Sequence, residues 1–168
     1  TGAGIETGSV VAGSTNDVTL AAQGGPITEN GDAGADVVGD VLTADAAGGV
    51  TLDTTVATLD LDNITSGNVD IDETDDLNIN QLDQDALTGT VNVDAAGTIT
   101  VVDGLAGVSG LAGQVELDAN GAASNIALNA SVSSTSGDIN VLAYNDVTFD
   151  ATSDVTSASG NVTFTGDA

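Results

Sequence analysis

The stretch GNVDIDETDDLNINQL, residues 67–82, sets apolar side chains at Val69 and Ile71, again at Leu77 and Ile79, and once more at Leu82. Each apolar-x-apolar pair has the two-residue period of a strand that buries one face. Gly67 opens the unit, Asp70 faces out between the first pair, and Glu73, Asp75 and Asp76 fall in the turn before Leu77. Gly, Asn, Asp and Ser supply the turn conformations, including positive φ at corners. The unit therefore reads as three short strands joined by turns.

The same unit recurs along the chain. Gly-x-[Val/Ile]-x-apolar occurs as GGVTL at Gly48, GNVDI at Gly67, GTVNV at Gly89, GQVEL at Gly113, GDINV at Gly137 and GNVTF at Gly160. Looser copies are GSVVA at Gly8 and GPITE at Gly25, and the successive spacings from Gly8 are 17, 23, 19, 22, 24, 24 and 23 residues. The second apolar pair returns as Leu59/Leu61, Ile99/Val101, Ile126/Leu128 and Val147/Phe149, with Val18/Leu20 in the same slot. The third slot is filled by Ile64, Leu82, Val108, Val132 and Val155. Self-similarity at this period is the mark of a solenoid, whose coils bury together a core that no single coil can make. The expected fold is all-β: one right-handed parallel β-helix (β-solenoid) over residues 1–168, with about seven coils of roughly 17–24 residues and three short strands each. At about 4.8 Å per coil, such a stack is a rod on the order of 34 Å long. No window carries a helical apolar stripe, so helix content near zero is expected.

Composition narrows function. Of the 168 residues 40% are apolar, but only three are aromatic, so the core is thin and aliphatic. The chain has 26 acidic residues and no Lys, Arg or His, a formal charge of −26. Nothing can replace the counterions of a phosphate backbone, which excludes nucleic acid and anionic membrane surfaces as partners. With no Cys there is no disulfide or thiolate chemistry, and no apolar run approaches a membrane span. The absence of an initiator Met suits a mature or internal piece of a longer chain. A chain without Lys or Arg offers trypsin-like proteases no cleavage site, which suits life outside the cell; adaptation to high salt is a second account of the same acidity.

Residues 137–168, GDINVLAYNDVTFDATSDVTSASGNVTFTGDA, resemble the repeats of filamentous haemagglutinin-type proteins, the large adhesins exported by two-partner secretion. The resemblance is clearest over residues 89–168. It implies a right-handed parallel β-helix of about 20 residues per coil in a secreted or surface fibre, and it brings no catalytic residues.

The strongest site-like feature is a column. In four units the first strand ends in Asp: Asp53, Asp72, Asp94 and Asp118. Stacked in register, these carboxylates repel one another by around 0.8 kcal/mol per neighbouring pair in water. Denser acidic patches supply Asp60 and Asp62 before the opening stretch and Asp75 and Asp76 within it, making residues 60–85 a candidate cation-binding zone. Asp outnumbers Glu 22 to 4, and short side chains on turns suit oxygen ligation of Ca²⁺, the one cofactor this pattern favours. The alternative is that the same residues are solvated corner residues screened by salt. No EF-hand loop and no GGxGxDxUx nonapeptide is present.

Catalysis is not expected. Without His, Cys, Lys or Arg no nucleophile–base pair can be assembled, and the polysaccharides cleaved on other β-helices are acidic and would be repelled. Threonine alternation at 98–100 and 147–149 follows ordinary β propensity. Tyr144, Phe149 and Phe164 are expected to form a core stack in the last coils. Neither end of the sequence offers a capping helix, so the open strand edges point to the chain itself as partner, in a head-to-tail homopolymer or a continuous repeat. The expectation is a non-enzymatic structural element of an extracellular filament or giant adhesin, against a calcium-dependent module that binds a host or matrix surface.

Overall fold

The computed structural model describes residues 2–31, 34–102, 107–110 and 112–166. Among them there is no helix, and hence none long and apolar enough to cross a membrane. The strands in chain order are β1 (Ile5–Thr7), β2 (Val10–Val11), β3 (Val18–Ala22), β4 (Ile27–Glu29), β5 (Val37–Ala46) and β6 (Val50–Asn63). There follow β7 (Val69–Glu73), β8 (Leu77–Gln84), β9 (Val91–Ala95), β10 (Ile99–Val101), β11 (Gly107–Gly110) and β12 (Val115–Ala119). The last are β13 (Ile126–Leu128), β14 (Val132–Ser134), β15 (Ile139–Ala143), β16 (Val147–Phe149), β17 (Val155–Ser157) and β18 (Val162–Gly166).

All pairings among these strands are parallel, and each joins residues about one coil apart. On the first face Ile5, Ile27, Val50, Val69, Val91, Val115, Ile139 and Val162 stack in one register. Eight rungs make seven turns of a parallel β-solenoid, with intervals of 22, 23, 19, 22, 24, 24 and 23 residues. The second face stacks Leu77, Ile99, Ile126 and Val147; the third stacks Leu61, Leu82, Val108, Val132 and Val155. Their apolar side chains meet in one continuous core. Each fully buried Val, Leu or Ile contributes roughly 1.5–3 kcal/mol of transfer free energy.

Four expectations need correction. The first coil opens at Gly4–Ile5 and not at Gly8; the Gly8 copy leads into β2, which pairs with β5 on another face, so the 17-residue step from Gly8 to Gly25 is no coil of the first face, although β5 and β6 do pair at a 17-residue offset. Strands are not uniformly short, since β5 has 10 residues and β6 has 14, running through corners without a break. Ile64 is 51% exposed, and its slot on the third face belongs to Leu61, which pairs with Leu82. The aromatic stack is not buried: Tyr144, Phe149 and Phe164 are 54, 51 and 42% exposed. Phe149 and Phe164 occupy core-facing positions over Leu128 and Val141, with rings edge to face at 5.1 Å, but no further layer among the described residues covers them.

A polar column, buried from Asn63 to Ser134 and half-buried at Ser157, runs up one corner. Asn63, Gln84, Gly110, Ser134 and Ser157 are stacked in register beside the third-face apolar column. Asn63 Nδ2 donates to Gln84 Oε1 at 2.8 Å while its Oδ1 accepts from the Gly49 amide at 3.0 Å. Ser134 and Ser157 each accept from the glycine amide three residues on, at 2.9 and 2.8 Å. These side chains satisfy turn groups that no ladder bond reaches.

Candidate functional site

Strand alternation decides where each carboxylate goes. On the first face the fourth strand position points outward, and Asp53, Asp72, Asp94 and Asp118 are direct register partners on β6, β7, β9 and β12. The next rung is Leu142, so the ladder ends after four acids. Partial burial, and then the charges of Asp70, Asp94 and Asp53, raise the Asp72 carboxyl above its ordinary value. Asp118 is raised the same way, by partial burial and then by Asp94 and Glu116. Three of the ladder's rungs, Asp53, Asp72 and Asp94, line an open groove of about 490 Å³ whose walls include Ala35, Thr74 and Asn120.

Two residues earlier on the same strands lies a column built differently. Asp70, Asn92, Glu116 and Asn140 alternate acid with amide. Asn92 Nδ2 donates to Asp70 Oδ1 at 2.9 Å, and Asn140 Nδ2 donates to Glu116 Oε2 at 3.2 Å. Amides here do the work that Lys or Arg does elsewhere, supplying hydrogen to carboxylates without a positive charge.

The remaining candidate residues do not gather into one zone. Asp60 and Asp62 lie on the third face, where Asp45, Asp62 and Asp83 form a second ladder and Asp60 is flanked by Thr43 and Gln81. Asp62 is raised by burial, then by Asp83, Asp85 and Asp45, and its Oδ1 is buried without a hydrogen-bond partner. Asp83 is raised by burial and Asp85, against hydrogen bonds from Ser109 and Gln81. Asp75 and Asp76 sit in the turn after β7; Asp76 Oδ1 accepts the Thr98 amide of the next coil at 2.7 Å, a structural task.

Three acids escape the repeat rule. Glu73 is 4% exposed and points inward over Thr54, not into a solvated turn. Its carboxylate accepts from Thr54 Oγ1 at 2.9 Å and from the amides of Val56, Thr74 and Asp75 at 3.0, 2.8 and 3.2 Å. Burial raises its carboxyl, and those hydrogen bonds oppose the rise. Glu29, Asp36 and Asp53 bring one carboxylate oxygen each within 4.8 Å of one another. Asp36 is 1% exposed and its Oδ2 accepts the Asp53 amide at 3.2 Å. The signal for Glu29 lay in GPITE, which carries Glu where the other units carry an apolar residue; Asp36 precedes β5 with no repeat signature.

These groups offer carboxylate, amide and carbonyl oxygens. Such donors suit hard cations, and they include no nucleophile–base pair. Comparison of the chain with protein-family models, with curated proteins and with solved structures gives no match.

Proposed function

We propose that this chain is a structural element: a β-solenoid rod of an extracellular filament or giant surface adhesin, without catalytic activity, that continues end to end through its open strand edges. The observation that carries the reading is the C-terminal end of the stack. Among the described residues β16, β17 and β18 each pair there on one side only, with β13, β14 and β15, and Phe149, Val162 and Phe164 are exposed at core-facing positions. At the other end β1, among the described residues, likewise pairs only with β4. An apolar layer bounded by unpaired parallel strands is completed by another coil, from a second copy or from the same chain. A heterologous contact of this kind does not close and generates a filament. The resemblance of residues 137–168 to haemagglutinin-type fibres and the lack of any Lys or Arg for trypsin-like proteases support an extracellular setting.

Electron microscopy and sedimentation of the purified chain test it. Filaments, with strand spacing of about 4.8 Å along their axis, are expected. Isolated short rods at high concentration would count against self-assembly.

The Glu29, Asp36 and Asp53 oxygens favour a second reading, a module that calcium must fill before it is rigid. Thermal unfolding with and without a chelator separates it from the first.

A further inference from the structure

The acid ladders stop short of both ends of the rod. Strands β16, β17 and β18 carry no carboxylate, and β1, β2 and β3 carry only Glu6. Among the described residues β17 and β18 lack a neighbour on the C-terminal side of the stack, and β1 and β3 lack one on its N-terminal side. On the first face Ile5 begins the column that Val162 ends. On the third face Leu20 begins, through Ala44 and Leu61, the column that Val155 ends. A second periodic feature changes at the first coil. From Gly25 to Gly160 a glycine stands two residues ahead of each apolar residue that opens a first-face strand. A Cβ at that position runs into the backbone of the coil before it: on Gly89 it meets the Gly67 carbonyl oxygen, and on Gly160 that of Gly137. In the first coil the same position is held by Ala3, which is exposed.

Resting on the end-to-end reading above, we propose that the C-terminal end seats the N-terminal coil of a second copy in the register Val162 to Ile5 and Val155 to Leu20, and that Ala3 makes this joint weaker than any rung within a chain. The charges fit that occupant. The register sets Glu6 against Thr163 and Asp154 against Thr19, so no two carboxylates are opposed on either face, in a chain with no cationic side chain to hold them apart. A strand edge bearing acids at these positions would meet like charge across the pair. The apolar groups fit as well: Val162 is 37% exposed and Ile5 half-buried, and each covers the other in the joint. At the glycine corner, however, the Ala3 methyl of the incoming copy meets the Gly160 carbonyl of the copy before it. Backbone cannot give way there as a flexible side chain can, so the corner of the joint has to open. Filaments then break at joints before any coil unwinds, and the concentration at which they form is set by one methyl group.

Ala3→Gly trims an exposed residue, so dilute single rods should melt as wild type does. Filaments of the variant, followed by sedimentation and electron microscopy, should appear at a concentration at least about tenfold lower. An unchanged or higher threshold overturns the role of Ala3. The register is read separately by the pair Glu6→Cys/Thr163→Cys, in a chain that has no cysteine of its own. Paired strands bring Cα atoms to about 4.8 Å, within disulfide reach, so mild oxidation should link copies into a covalent ladder. The pair Glu6→Cys/Thr148→Cys, with Thr148 on the second face, should not link. Filaments that form without the first cross-link, or with the second in its place, overturn the register and leave end-to-end assembly standing. No filaments from wild type and Ala3→Gly alike would overturn both.

Discussion

At the scale of single residues, the glycine that opens each unit is there for proximity. Gly113 and Gly137 do not have positive φ, yet a Cβ on Gly113 would collide with the Gly89 carbonyl oxygen, and one on Gly137 with that of Gly113. The turn backbones of successive coils touch, and backbone cannot give way as a flexible side chain can. Gly31 makes the contrast, with φ of +78° and no atom within 4 Å of a built Cβ. Gly113→Ala is expected to lower unfolding free energy by about 2–4 kcal/mol, and Gly31→Ala by about 1 kcal/mol, in urea titrations. Equal costs would mean that backbone conformation, and not stacking, selects the glycines. This crowding is why the repeat was legible at all: one residue type is forced at the same corner in coil after coil. Glu73 was legible by the same logic and misread. It is the next in-phase position after Val69 and Ile71, so the period of two places it inward, but a carboxylate there looks like a turn residue until its four hydrogen bonds are seen.

At the scale of strands, β6 explains where the spacing rule failed. Its sequence VTLDTTVATLDLDN has no Gly, Pro or Asn before Asn63, so nothing in it announces a corner. The strand nevertheless passes through all three faces, and its register against β8 shifts between Leu59 and Asp60. A coil whose strand runs through its corners is short, 19 residues from Val50 to Val69, and its third-face residue arrives early. Leu61 takes the buried slot, and Ile64 is left beyond the corner, where its amide bonds the Ala46 carbonyl at 2.9 Å. Leu61→Ala should therefore cost about 2–5 kcal/mol by transfer and cavity terms. Ile64→Ser should stay within about 0.5 kcal/mol of wild type, as surface changes do. Chemical denaturation of the two variants decides between this assignment and the sequence spacing, which places both side chains in the core and expects both to be costly. The candidate site was legible to the same degree. The four-rung ladder follows from the period of two alone, whereas the Glu29, Asp36 and Asp53 trio depends on how β4, β5 and β6 are laid side by side.

At the scale of the whole molecule, 26 negative charges and no positive ones make the solvent part of the structure. Rungs about 4.8 Å apart lie inside the Debye length of roughly 10 Å at 0.1 M salt, so screening of neighbouring rungs is partial and strengthens as salt rises. Stability is therefore expected to increase with ionic strength, opposite to a protein held by surface ion pairs, and melting temperature in NaCl from 0.05 to 0.5 M measures it. Calcium separates the two readings of the acids. If water and screening ions occupy the ladders, CaCl₂ at the same ionic strength gives the same melting temperature as NaCl, and a chelator changes nothing; this is the outcome expected for a rod whose acids are sorted outward by strand alternation. If an ion sits among Glu29, Asp36 and Asp53, ligand linkage adds about 2.7 kcal/mol when calcium stands at 100 times its dissociation constant. That gain would saturate with calcium, reverse with chelator, and be weakened by Glu29→Gln, whereas screening neither saturates nor depends on one side chain. A saturable gain would make calcium the condition for rigidity and move the centre of function from the ends of the rod to its acidic flank.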